Sequence, residues 1–125
     1  MLIGAAGIML LVVWMGMKKR KQRQSHIAAH AWEQWKHLGT ISDGSRRILE
    51  AENILSHALR ETGKRGTFGD ILKSMQKTLP NIDAVWQAHK VRNRIAHEPG
   101  IVISNQEVKR ALHTFEKALQ ILFPL

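Results

Sequence analysis

The chain opens with an uninterrupted run of uncharged, mostly apolar residues that ends at a dense cluster of positive charge. Residues 1–17 carry no charged side chain. Five positive side chains then follow almost without a break: Lys18, Lys19, Arg20, Lys21 and Arg23. As a helix the uncharged run would be roughly 25 Å long, near the minimum needed to cross a bilayer. Residues 1–17 are therefore predicted to be a transmembrane anchor in the lipid bilayer. The alternatives are a buried helix and a peripheral helix.

The position of the basic cluster predicts the orientation of this anchor. A secretory signal peptide has its positive charge before the apolar run and a small-residue cleavage site after it, and this chain shows neither feature. The positive-inside rule places the N-terminus outside and residues 18–125 in the cytoplasm. Residues 18–39 are predicted to form a basic juxtamembrane and stalk helix. The cluster itself is interpreted as a topology determinant, with an anionic-lipid site as the alternative.

Composition restricts what the remaining chain can do. The 125 residues include 19 Lys and Arg against 10 Asp and Glu, a net charge of +9. Five of those positive charges lie in the basic cluster, which leaves 14 − 10 = +4 for residues 24–125. There is no cysteine, which excludes disulfides, a thiolate nucleophile and a cysteine-based zinc site. The length allows one compact domain and excludes a two-domain enzyme or a large α/β nucleotide-binding fold.

Helical periodicity dominates the sequence after the basic cluster. Apolar stripes predict helices over residues 24–38, 44–61, 68–79, 82–97 and from 105 onward. Predicted N-caps precede the last four: Ser42 or Asp43, Thr67, Asn81 and Ser104. Residues 101–103 form a β-like run that is too short and isolated for a sheet. The sequence therefore predicts an all-α protein, with a four- to five-helix bundle over residues 40–125.

Two histidines in the predicted stalk are spaced for metal binding but lack a third ligand. His26 and His30 are four residues apart and would share one face of a helix. No carboxylate near them in the sequence completes a site, so solvated histidines are the favoured interpretation. No metal or cofactor is predicted.

The helix predicted over residues 82–97 changes character along one face. Its first half is amphipathic, with Val85 and Trp86 on the apolar side. Continuing at 3.6 residues per turn, the same face carries His89, Asn93 and His97. A polar stripe that enters a core is destabilising unless it is satisfied, so this stripe indicates a polar interface or a functional site.

The run from Arg92 to His97 resembles the Arg-x(4–6)-His motif of the HEPN superfamily, including the polar residue directly after the arginine. The resemblance covers roughly residues 45–123, and the chain also looks like small membrane-anchored bacterial proteins of unknown function. HEPN domains are small helical bundles that commonly form homodimers, in which two copies of the motif face each other across a cleft. Many are metal-independent RNases and others are not catalytic.

The resemblance implies roles for five residues. His97 would be the acid and base, Arg92 the phosphate clamp and Asn93 an orienting group, while His89 and Arg94 would extend a phosphate-binding surface. The partner would then be RNA or a nucleotide. Alternatively the cluster is structural, with Arg94 paired to Glu98 one turn away. Two functions follow: a membrane-tethered homodimeric interaction or ligand-binding module, and a metal-independent endoribonuclease.

Overall fold

The computed structural model describes residues 4–125, and within this range the chain forms five α-helices and no β-strand. The helices are α1 (Gly4–Lys36), α2 (Gly44–Glu61), α3 (Phe68–Ser74), α4 (Ile82–His97) and α5 (Asn105–Leu122). A single 3₁₀ turn, His37–Thr40, connects α1 to α2. The predicted all-α architecture is confirmed.

The central helix of the bundle is α2, which packs against α1, α4 and α5. Its Ile48 and Leu55 are completely buried. Phe115 and Leu119 of α5 and Val85 of α4 are also completely buried. Removing these large apolar side chains from water is the main stabilising contribution to a bundle of this kind.

Side-chain caps start three of the helices as predicted. The carboxylate of Asp43 accepts a hydrogen bond from a backbone N–H of α2, and Thr67 and Ser104 form capping boxes at α3 and α5. Asn81 differs, because its side chain makes no cap at α4. Its Nδ2 instead donates to the backbone oxygen of Thr114, 3.4 Å away, and thereby contacts α5.

Helix α3 is shorter than its apolar pattern predicts. It ends at Ser74, whereas the pattern predicted a helix extending to about Leu79. Turns follow instead, in which the N–H groups of Thr78 and Leu79 both donate to the carbonyl of Met75. Met75 and Leu79 are nevertheless buried, so the apolar positions were predicted correctly and only the backbone conformation differs. Pro80 disfavours helical geometry at the residue before it.

Helix α1 has an exposed half and a packed half. Every residue from 4 to 26 is exposed, whereas Ile27, Ala28 and Ala31 are buried against the bundle. Farther along, the indole Nε1 of Trp32 donates to the backbone oxygen of Phe123 at 2.8 Å. The basic cluster lies within this continuous helix. The buried core also includes Ile27, Ala28, Ala31 and Leu38, so the packed bundle begins before residue 40, where the sequence placed its start.

The predicted transmembrane anchor is wrong. Within residues 4–125 no helix is both long enough and apolar enough to cross a membrane. The uncharged part of α1 ends at Met17, and the helix continues from there into the basic cluster. The single-pass topology, with an outside N-terminus and a cytoplasmic domain, is overturned by the same finding. Residues 1–3 of the predicted anchor lie outside the described residues.

Candidate functional site

Glu52 is a charged residue on the buried face of α2. It lies between Ile48 and Leu55, and its own exposed fraction is 4%. Helical spacing puts all three side chains on one side of α2, so the carboxylate points toward the interior of the bundle. A buried carboxylate is strongly destabilising unless positive or hydrogen-bonding groups surround it.

Two side chains of α4 surround the Glu52 carboxylate. His89 Nδ1 lies 2.9 Å from Glu52 Oε2. Arg92 Nε lies 3.3 Å from Glu52 Oε1, which is close enough for an ion pair, although its N–H is not aligned for a hydrogen bond. His89 and Arg92 are three residues apart and therefore share one face of α4. The carboxylate joins α2 to α4 through this face.

Asn93 extends this network by one further residue. Its Nδ2 lies 3.3 Å from His89 Nε2, and its Oδ1 accepts from Arg92 Nη1 at 3.5 Å. Both ring nitrogens of His89 are paired when Nδ1 donates to Glu52 and Nε2 accepts from the Asn93 amide. The tautomer and the amide orientation are assigned from this network.

Aromatic rings hold the imidazole of His89 in place. The rings of Phe68 and Trp86 meet it edge to face, with centroids 5.3 and 5.8 Å away. At Gly69 a Cβ atom would lie 3.8 Å from His89 Nε2, so the backbone of α3 also approaches the ring. Packing therefore restricts the imidazole to one orientation, in which only 14% of the side chain is exposed.

A polar cleft of about 420 Å³ opens beside this network. Ten residues line the cleft, and they come from α2, α3, α4 and the N-cap of α3: Glu52, Asn53, Ser56, Arg60, Thr67, Phe68, Gly69, His89, Arg92 and Asn93. Two guanidinium groups face one carboxylate, so the lining has a net charge of +1 when His89 is neutral. Such a lining favours an anionic ligand.

The two arginines of the cleft differ in their surroundings. Arg92 is partly buried, with 28% of its side chain exposed. Arg60 is exposed and donates to Ser56 Oγ and, at 3.2 Å, to the carbonyl of Gly66. These contacts hold both guanidinium groups at the cleft while leaving N–H donors for a ligand. The planar fork of an arginine matches the oxygens of phosphate and carboxylate groups.

The α3 end of the cleft is fixed by the capping box of Thr67 and Asp70. Thr67 N donates to Asp70 Oδ2 at 3.0 Å, and Asp70 N donates to Thr67 Oγ1 at 3.1 Å. Hydrogen bonds from the backbone and side chain of Thr67 hold the pKa of Asp70 below its ordinary value. The carboxylate therefore stays ionised and keeps Thr67 in place at neutral pH.

The structure brings together three of the five predicted site residues. His89, Arg92 and Asn93 line the cleft, whereas His97 and Arg94 do not. His97 is exposed at the last position of α4. His97 is five positions after Arg92, so the two side chains leave the helix about 140° apart around its axis.

Arg94 belongs to a different surface. Its Nη1 donates to Glu107 Oε1 at 3.1 Å, and both residues line a groove of about 670 Å³ between α4 and α5. The pairing to Glu98 that the sequence suggested is replaced by this contact with α5. The pKa of Glu107 is held below its ordinary value, mainly by the hydrogen bond that the backbone N–H of Ser104 donates to its carboxylate. The hydrogen bond from Arg94 lowers this pKa further.

Sequence reasoning missed the two other charged residues of the cleft, Glu52 and Arg60. Glu52 could have been found, because it is a charged residue within the apolar stripe that Ile48 and Leu55 define. Arg60 had no comparable signal, since its place at the cleft depends on how the chain turns back at Gly66.

A comparison with models of known protein families, with curated proteins and with solved structures finds no match for this chain.

Proposed function

We propose that this chain is a HEPN-like helical domain that binds a phosphate-bearing ligand, an RNA or a nucleotide, in the cleft between α2 and α4. One observation carries the proposal: the buried carboxylate of Glu52 holds His89 and Arg92 at the wall of a cleft whose lining has a net positive charge. Phosphate oxygens would accept from Arg60 and from the outward N–H groups of Arg92.

The dimensions of the cleft suit a small anionic group. Its volume of about 420 Å³ is within the usual range for small-molecule sites. The Asn53 and Ser56 side chains add neutral hydrogen-bonding groups at the α2 wall. Charge and hydrogen bonding thus coincide in one place, as phosphate recognition requires.

Arginine variants on one helix test this proposal. Binding of a fluorescein-labelled single-stranded RNA and of AMP is measured with the wild type, Arg60→Ala and Arg46→Ala. Arg46 is also exposed on α2 but lies outside the cleft, so both variants lose the same charge. Loss of a charge-assisted hydrogen bond should weaken binding about tenfold in Arg60→Ala. Equal weakening in both variants would show that binding is only a response to net charge.

The orientation of His89 favours a second function, a metal-independent endoribonuclease. A carboxylate that accepts from Nδ1 holds the imidazole in the tautomer in which Nε2 is the basic nitrogen. The ribose hydroxyl would displace the Asn93 amide that donates to Nε2 in the unbound cleft. In this proposal Nε2 takes the proton of a ribose 2′-hydroxyl, and the 2′-oxygen attacks phosphorus as the bond to the 5′-oxygen breaks. Arg92 stabilises the phosphoryl oxygens. An imidazolium from a second copy would protonate the leaving oxygen, so this function includes the expected homodimer.

Cleavage assays distinguish the two functions. Labelled RNA is incubated with the chain and a chelator, beside His89→Gln and His97→Ala. Formation of 2′,3′-cyclic phosphate ends that is lost in His89→Gln but kept in His97→Ala supports an enzyme based on the cleft. Loss in His97→Ala alone would instead support the motif that the HEPN resemblance predicts. Binding without cleavage supports the ligand-binding module.

A further inference from the structure

Three side chains that can bind a metal meet where α1 packs on α2. They are His30 of α1 and His57 and Glu61 of α2, and their nearest ligand atoms all lie within 4.8 Å of one another. His57 Nε2 is 2.6 Å from Glu61 Oε1, and the rings of His30 and His57 are 6.4 Å apart. We propose that this cluster is a binding site for a divalent transition-metal ion, with Zn²⁺ as the best fit.

Core packing sets the position of each ligand. His57 and Glu61 are one turn apart on α2 and project from the same face. His30 lies between Ile27 and Ala31, which are both buried against the bundle, so the imidazole is directed along the surface toward α2. The backbones that carry the three ligands are therefore held in place before any ion binds.

Two turns before His30 in α1, Arg23 also connects α1 to α2. Its Nη2 donates to the backbone oxygen of Glu61 at 2.8 Å. Because this guanidinium adds positive charge near the cluster, we expect moderate affinity for a cation, on the order of micromolar rather than nanomolar.

The donor set selects the class of metal. Two imidazole nitrogens and one carboxylate oxygen suit Zn²⁺, with water completing the tetrahedron, whereas Ca²⁺ and Mg²⁺ prefer oxygen ligands. Ligand atoms around tetrahedral zinc lie about 3.4 Å apart. The wider separations in the cluster, up to 4.8 Å, therefore have to contract, whereas His57 Nε2 and Glu61 Oε1, now 2.6 Å apart, have to separate. His57 and Glu61 are 59% and 32% exposed, and their side chains can adjust at little energetic cost. The ion replaces any proton held between His57 and Glu61, and that proton is released to solvent.

The position of the site gives the ion a structural consequence. It lies next to the point where α1 passes from its exposed residues 4–26 to its packed residues. An ion bound there would clamp α1 to α2 and oppose separation of the two helices.

Metal titration of the full, untagged chain tests the site. Zn²⁺ binding is followed by calorimetry and Co²⁺ binding by visible absorption, for the wild type, His30→Ala, His57→Ala and Glu61→Gln. His26→Ala is the matched control, because it removes an exposed histidine of α1 that lies outside the cluster. The wild type should bind one ion, and each cluster variant should bind at least about tenfold more weakly. His26→Ala should bind like the wild type.

A second measurement links binding to the fold. At a Zn²⁺ concentration one hundred times the dissociation constant, the melting temperature of the wild type should rise by about 5–10 °C, and that of His30→Ala by much less. The site is overturned if the wild type binds no ion in a 1:1 ratio. It is also overturned if His26→Ala weakens binding as much as His30→Ala, or if Glu61→Gln binds as tightly as the wild type.

Discussion

The carboxylate of Glu52 lies 2.9 Å from the imidazole of His89, and this contact joins two helices across 37 residues of sequence. The same carboxylate is 3.3 Å from Arg92. One buried acid therefore orients two of the groups that the proposed functions use, His89 and Arg92. The site depends on α2 as much as on the motif of α4.

Removal of the Glu52 carboxylate should destabilise the fold. Glu52→Ala leaves His89 and Arg92 without their buried partner, and we expect a loss of about 2–4 kcal/mol in the free energy of unfolding. Urea denaturation followed by circular dichroism measures this change. Glu33→Ala, which breaks an exposed pair with Lys36, should change stability very little. Equal effects in both variants would show that the buried network is not stabilising.

Two glycines should respond in opposite ways to the same substitution. In Gly44→Ala the new Cβ would lie 2.9 Å from a methyl group of Val108, which forces α2 and α5 apart. We expect a loss of about 1–2 kcal/mol in the free energy of unfolding. In Gly69→Ala the nearest atoms are at least 3.7 Å away, and the higher helix propensity of alanine should make the change neutral or stabilising by up to about 1 kcal/mol. Thermal unfolding of both variants checks this contrast.

Acid should weaken the capping boxes of α3 and α5. The pKa values of Asp70 and Glu107 are lowered in the folded protein, mainly by backbone hydrogen bonds from Thr67 and Ser104. Each carboxylate therefore stabilises the fold above its unfolded pKa, and that contribution is lost as the pH falls through its lower folded pKa.

Melting curves at two pH values test this dependence. Glu107→Ala should lower the melting temperature by a few degrees at pH 6 and by clearly less at a pH below the lowered pKa of Glu107, where the wild-type carboxylate is itself protonated. A decrease of the same size at both pH values would contradict the proposed role of the ionised carboxylate.

Truncation of α1 should leave the bundle intact. Residues 4–22 are exposed and form no part of the buried core, whereas Arg23 contacts Glu61 and Ile27 is buried. A chain that begins at residue 23 should melt within about 2 °C of the full chain. A chain that begins at residue 33 lacks Ile27, Ala28 and Ala31 and should melt markedly lower. Similar melting of both truncated chains would contradict the packing of α1 on α2.

Much of the helical structure could be predicted from local pattern. The apolar stripe of α2, the capping box at Ser104 and the bounds of α4 all follow from contacts between residues within one or two turns. The same reasoning identified His89 and Asn93 as polar groups on a face that begins as core. It failed for the first residues, where the uncharged run suggested a membrane span, because the described part of α1 passes directly into the charged residues that begin at Lys18.

The sequence by itself determined where helices begin, which faces are apolar and which polar groups of α4 need partners, since these properties depend on neighbours three or four positions away. Only the tertiary structure decided that Glu52 is the partner of His89, that His97 lies outside the cleft, and that His30 meets His57 rather than His26. Those relationships depend on how helices pack against one another, and the packing arises from the whole buried core rather than from any short segment.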